Sequence, residues 1–198
     1  MSQSRWQKAL QLTLCAALAL AQQGLAAQEE FSPANRNVGR AAVEYRDADA
    51  HIVAAYYYSQ RNHESRWLMI EAGVSTTESI TIERSAIALR TPEGREIPLA
   101  TQRRVGEDVA RIEQLLQNAR VLSHNVASYF TQRDRIENMD LFTLPFGPVV
   151  HDSFVIDRNR VAVGPLFFES PTGAWEKGTY ALIVRHSKGT AALPIHLE

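Results

Sequence analysis

Cysteine is almost missing from this chain: 198 residues contain one, Cys15. That excludes a disulfide framework, a thiolate metal site and an iron–sulfur cluster, so stability has to come from packing. An excess of charge of either sign is missing too, because 21 Lys and Arg stand against 22 Asp and Glu, for a net charge of −1. A basic footprint for nucleic acid or anionic lipid is therefore absent, and such partners are not expected. There are no internal repeats and no low-complexity tracts. A long apolar run is also lacking. The best one is most apolar between Leu10 and Leu20, shorter than the roughly 20 residues that span a bilayer.

What is present at the start is a positive end followed by that short run. Arg5 and Lys8 precede an uncharged stretch from Ala9 to Ala27, the form of a secretory signal peptide. Two small-residue cleavage sites compete, Ala19-Leu20-Ala21 and Gly24-Leu25-Ala26-Ala27. The second leaves Gln28, Glu29 and Glu30 at a polar mature end, so a signal of residues 1–27 is the preferred reading. In Leu12-Thr13-Leu14-Cys15 a bulky Leu14 occupies the position where a lipoprotein signal places a small residue just ahead of the acylated cysteine, which argues against a lipid on Cys15. Removal of the signal takes two positive charges and the sole cysteine with it, and the mature net charge becomes −3. Periplasmic or secreted localisation follows, with no membrane span after cleavage. Residues 28–198 are enough for one core, expected as a polar leader over 28–39 and a single domain over 40–198.

The domain reads as short β-rich runs separated by turns. His51 to Tyr58 and Trp67 to Val74 are apolar, aromatic and β-branched, as central strands are, and the polar stretch between them makes a hairpin. Ser79 to Arg84 alternates with period 2. Ala86 to Arg90 and Glu96 to Ala100 flank Thr91-Pro92-Glu93-Gly94, a type I turn in which Gly94 supplies a positive φ. Further strands are expected at Met139 to Leu144, Ser153 to Ile156, Arg160 to Glu169, Thr179 to Arg185 and Thr190 to Leu197, the last an edge strand because it carries Pro194. One pattern has a different period: Val105, Val109, Ile112, Leu116 and Ala119, with Leu115 beside them, predict one amphipathic helix over about 107–119.

Such a list implies a mainly β fold, an antiparallel two-sheet sandwich with one inserted helix. The segment Trp175-Glu176-Lys177-Gly178-Thr179-Tyr180, followed by Ala181-Leu182-Ile183-Val184, resembles the penultimate strand of immunoglobulin-like domains. In those domains a Tyr just after a Gly forms the tyrosine corner. The resemblance covers about Trp175 to Leu197, implies an immunoglobulin-like fold and carries no activity.

Catalytic motifs fail one by one. His63-Glu64 lacks the second His of a zinc-protease helix, Gly73-Val74-Ser75 lacks the closing Gly of a nucleophile elbow, and in Gly173 to Thr179 the Lys precedes the second Gly, against the P-loop order. Asp47, Asp49 and His51 alternate on an extended segment, a spacing that offers hard and borderline ligands to zinc or manganese but needs a further ligand. A calcium loop is excluded, since Ile52 and Tyr58 stand where Gly and an acid are required. Tyr56 and Tyr58 would share one strand face and offer a stacking platform to sugars. The leading expectation is thus an exported, non-enzymatic module that binds an envelope protein or has a structural role, with no cofactor. A carbohydrate or cell-wall module using Tyr56 and Tyr58 is the second, and a metal-dependent hydrolase using Asp47, Asp49 and His51 the third. The sequence does not bear on oligomeric state. Intact-mass measurement of protein recovered from the cell envelope should give a species starting near Gln28, and one retaining Met1 would refute the cleavage.

Overall fold

The central strand of the fold is a ten-residue run buried on both sides. In the computed structural model, which describes residues 31–61, 66–122, 125–131, 135–145, 147 and 149–198, strand β4 (Trp67–Thr76) pairs antiparallel with β3 (Ala50–Ala55) on one side and with β10 (Arg160–Glu169) on the other. Leu68, Ile70, Ala72 and Val74 point to one face, and Trp67, Met69 and Gly73 to the opposite one. A strand with both faces covered reads as a continuous apolar run, which is why Trp67 to Val74 carries almost no alternation.

Around β4 the six-stranded sheet runs β1-β2-β3-β4-β10-β8, with β1 at Asn35–Gly39, β2 at Ala42–Arg46 and β8 at Arg135–Asn138. A four-stranded sheet, β12-β11-β6-β7, is built from β6 (Ile87–Arg90), β7 (Glu96–Pro98), β11 (Gly178–His186) and β12 (Gly189–Leu197). Ile52, Leu68, Ile70, Leu166 and Phe168 of the first sheet share one core with Leu89, Leu182, Leu193 and Ile195 of the second. A two-stranded sheet of β5 (Ile80–Glu83) and β9 (Ser153–Ile156) adds Ile82, Phe154 and Ile156 to that core. The fold is mainly β, with several sheets and two helices, and residues 31–198 form one compact unit. Among the described residues no helix is long and apolar enough to cross a membrane.

Several expectations hold. The β3–β4 and β11–β12 hairpins are present, Gly94 has φ 82° in the β6–β7 turn, and β12 lies at a sheet edge. Others need correction. The strand predicted over His51 to Tyr58 ends at Ala55, and Tyr56 to Tyr58 form a turn in which Gln60 N bonds Tyr56 O at 2.8 Å. β1 falls inside the expected polar leader, because as an edge strand it half-buries only two of its residues and keeps a polar sequence. Met139 to Leu144 is not a strand: β8 precedes it, and β8 runs parallel to β10, so the sheet is not wholly antiparallel. The segment between them includes β9, enough chain to return in the same direction, as a parallel pair requires. The signal expected over residues 1–27 lies outside the described residues.

The predicted helix is two helices, α1 (Gln102–Glu107) and α2 (Val109–Leu122). Thr101 caps α1 by accepting from Arg104 N, and the chain breaks at Asp108, whose carboxylate accepts the Trp67 Nε1 proton at 2.6 Å. The Asp108 carbonyl then accepts from Arg111 N and Ile112 N to start α2. Val105, Ile112, Leu115 and Ala119 are buried against Trp67, Met69 and Phe167, whereas Val109 and Leu116 are half-buried. Each aliphatic side chain so buried contributes roughly 1.5–3 kcal/mol.

A second cap covers the other half of the same face. Val126 and Phe130, from a 3₁₀ turn at Val126–Tyr129, sit on Gly73 beside Val53, Ala55 and Val161. A Cβ on Gly73 would lie 2.5 Å from Phe130 Cε2 and 2.9 Å from Val126 Cγ1. Gly73→Ala should therefore lose about 1–3 kcal/mol in a urea melt, by overpacking. Gly106→Ala, in α1 with nothing within 4 Å of its Cβ, should gain about 0.5–1 kcal/mol from helix propensity. Equal effects would mean that the turn does not press on β4.

Candidate functional site

The outer face of the large sheet is covered in two places, by α2 and by the 3₁₀ turn, and the strip between them is open. There a groove of about 410 Å³ has Glu71, Val163 and Pro165 on the sheet below it. Leu116 and Arg120 of α2 form one wall, Asn125 and Val126 a second, and Met139 to Phe142 a third. Mixed apolar walls with a few converging polar groups are the composition of a binding site.

The third wall is held by unusual means. Met139 turns into the main core across Gly164, where a Cβ would lie 3.1 Å from Met139 Cβ. Asp140 follows with φ 47°, the single non-glycine residue with positive φ among those described. An Asp accepts that conformation more readily than most side chains, though at some cost in backbone energy. Arg84 supports the wall from behind: its guanidinium donates to the carbonyls of Leu141 and Ala100 and to Asp152 Oδ1, and stacks on Phe142 at 4.7 Å. Its side chain is 13% exposed.

Of the expected sugar platform, Tyr56 is 4% exposed, with its hydroxyl bonded to the backbone of His196. A stacking platform needs an open ring face, which Tyr56 does not offer. Tyr58 is half-buried against α2 and accepts from Asn118 Nδ2 at 3.5 Å. Tyr57 meets Tyr129, hydroxyl to hydroxyl, at 3.3 Å, and burial, followed by that contact, pushes its ionisation up to about 12.

Asp47, Asp49 and His51 lie together along a second cleft of about 270 Å³ at the β2–β3 turn. Their polar atoms are drawn apart, however. Asp47 Oδ1 accepts from the backbone N–H groups of Asp49 and Ala50 at 2.8 and 2.7 Å, and Oδ2 accepts from the Tyr45 hydroxyl at 2.6 Å. His51 Nε2 meets Glu44 Oε1 at 2.7 Å, and its ring packs 4.4 Å from that of Phe130. Among the described residues no group of three His, Cys, Asp or Glu is placed to hold a metal ion.

No family model matches this chain, nor does any curated protein or solved structure. Its site therefore has to be read from its own geometry. Two residues that matter there escaped the sequence. Glu44 is 5% exposed, in a strand whose neighbours Val43 and Tyr45 mark the core face. A lone acid in such a run signals a buried partner, and here Arg36 supplies Nε and Nη2 at 3.0 and 2.6 Å. Asp140 left a fainter trace, one acid between Met139 and Leu141, both of which are buried.

Burial would raise the Glu44 carboxyl, but the hydrogen bonds and charges of Arg36 and His51 outweigh it and hold the group below its ordinary 4.5. A depressed folded pKa stabilises the native state above the unfolded value, and that stability is lost as pH falls through the folded one. Glu44→Gln should thus cost about 1–3 kcal/mol at neutral pH, and the gap from wild type should close below pH 4.5 as the wild-type group titrates. Urea melts at several pH values measure it, and a gap that stays constant into acid would contradict the assignment.

Proposed function

We propose that this is an exported, immunoglobulin-like, non-enzymatic module that binds a protein partner of the cell envelope through the groove between α2 and the 3₁₀ turn. The observation that carries the binding role is the groove's third wall. A residue in the left-handed region and a half-buried arginine both hold a short irregular segment in place, and strain of this kind gathers where a surface has to be presented in one fixed shape.

Export is supported by Arg5 and Lys8 ahead of the uncharged run to Ala27. The immunoglobulin-like reading is supported at Tyr180, buried at 4% exposure, whose hydroxyl donates to the Glu176 carbonyl at 3.0 Å, four residues upstream at the start of β11. Trp175 packs edge-on against that ring at 5.7 Å. Strand order adds to it: β4 neighbours β10 in one sheet, while β6, β11 and β12 lie side by side in the other. Immunoglobulin domains place their second and fifth strands, and their third, sixth and seventh, in this way. The N-terminal β1–β2 hairpin and the parallel β8 are additions to that plan.

Cross-linking in cells tests the groove. A photoreactive phenylalanine at Leu116 should give a discrete adduct with an envelope protein, and the same group at Thr172, exposed and outside the groove, should not. Asp140→Gly should abolish the adduct while leaving stability equal or higher, since glycine takes φ 47° without cost. Adducts of equal strength from both positions, or none from Leu116, would refute a docking role for the groove.

A further inference from the structure

Each of the two larger sheets ends on two edge strands, and an edge strand presents backbone N–H and C=O groups with which another chain can pair. Three of these four edges are blunted. β1 carries a bulge between Asn37 and Gly39, and β7 is three residues long and ends on Pro98. Along β12, Pro194 has no N–H to offer, Asn35 Nδ2 donates to the Ala192 carbonyl at 2.9 Å, and the Tyr56 hydroxyl bonds the His196 backbone. β8 has no such device among the described residues: Arg135–Asn138 contains no proline and keeps an unbroken register with β10.

The direction of its free groups follows from the bonds it makes. Arg135 N donates to Asn159 O at 2.8 Å and Met139 N to Val163 O at 3.0 Å, so positions 135, 137 and 139 turn their backbone groups to β10. Those of Ile136 and Asn138 turn outward, past the last strand of the sheet. Ile136 pairs with Val161, which places its side chain on the face of the 3₁₀ turn, and it is 44% exposed. Arg135 and Glu137 lie on the opposite face, as an exposed ion pair at 3.1 Å.

We propose that β8 pairs antiparallel with β8 of a second copy of this chain, about a two-fold axis at Ile136. In that register the two Ile136 residues exchange N–H···O bonds, and Arg135 of each copy stands opposite Glu137 of the other in the closely spaced, non-hydrogen-bonded position. Arg135-Ile136-Glu137 is thus complementary to its own reverse, matching charge to charge and setting the two exposed isoleucines side by side on one face. A register centred on Glu137 would oppose two carboxylates, and like charges directly opposite each other are destabilising. Charges on an edge ordinarily keep other strands away. Here their order selects a second copy. Four residues a side make a contact smaller than the roughly 1,200–2,000 Å² of stable complexes, so the dimer is weak and forms as concentration rises. This inference does not rest on the partner groove.

Sedimentation velocity of the chain recovered from the cell envelope, run from about 1 μM to about 1 mM, should show a monomer–dimer equilibrium. Ile136→Pro removes only an outward N–H, and Arg135→Glu or Glu137→Arg sets like charges opposite each other, so each should weaken the dimer at least about tenfold. Thermal melts should stay close to wild type, because the ladder to β10 keeps its bonds. An equal mixture of the Arg135→Glu and Glu137→Arg chains should associate as wild type does, since every acid then stands opposite an arginine. A chain that is monomeric at about 1 mM would overturn the proposal. So would a dimer that none of the three substitutions weakens, or a mixture of the two charge variants that stays monomeric.

Discussion

Everything else in this fold depends on β4 being buried on both faces. One face closes the core shared with the four-stranded sheet, and the other has to be covered by something that is not a sheet. The chain meets that second requirement with two separate caps, α2 over Trp67 and Met69 and the 3₁₀ turn over Gly73. Neither helix would persist alone in water at such a length, so each exists because the strand beneath offers an apolar surface. Trp67 sets the position of α2 directly, because its indole N–H fixes Asp108 at the helix start. Gly73 has the reverse role, leaving room for an aromatic ring where any side chain would push the second cap away.

The parts legible in the sequence are those whose pattern comes from burial alone. Trp67 to Val74 and Arg160 to Glu169 read as strands because apolar residues crowd them, and Val105 to Ala119 read as helical because its apolar positions recur every three or four residues. What was not legible depends on partners distant in the chain. The break at Asp108 requires Trp67, and nothing local distinguishes Glu107-Asp108 at a helix start from the same pair at a junction. The three tyrosines resemble the end of a strand, yet the backbone turns at Tyr56 because its ring enters the main core while its hydroxyl reaches β12. β1 has a polar sequence because it is an edge, and an edge strand half-buried at two positions leaves little trace of period 2.

The candidate sites were less legible still, and for a physical reason. The spacing of Asp47, Asp49 and His51 does put them along one cleft, as alternation on an extended segment implies. Spacing does not say where a carboxylate spends its lone pairs. Asp47 spends them on the backbone of its own turn and on Tyr45, and His51 turns to Glu44 on the neighbouring strand β2. The acid that organises this corner is therefore Glu44, between Arg36 on β1 and His51 on β3, and it ties three adjacent strands together.

Two caps on one sheet face necessarily leave a seam, and the seam is where the groove lies. It could have been filled by a side chain from the Met139 to Phe142 segment, but Met139 is drawn through to the main core across Gly164, and Asp140 then takes a conformation that turns the chain outward. A strained residue persists only when its surroundings over-determine it. Arg84 supplies that determination, with its guanidinium spread over the carbonyls of Leu141 and Ala100 and the ring of Phe142. This largely enclosed cation has to satisfy its donors, and one of its carbonyl partners, that of Leu141, belongs to the irregular segment. The wall of the groove is thus fixed by the Arg84 hydrogen bonds together with the apolar packing of Met139 and Leu141, both buried in the main core. A rigid open groove over a well-packed sheet follows from that arrangement, without any movement of the strands that carry it.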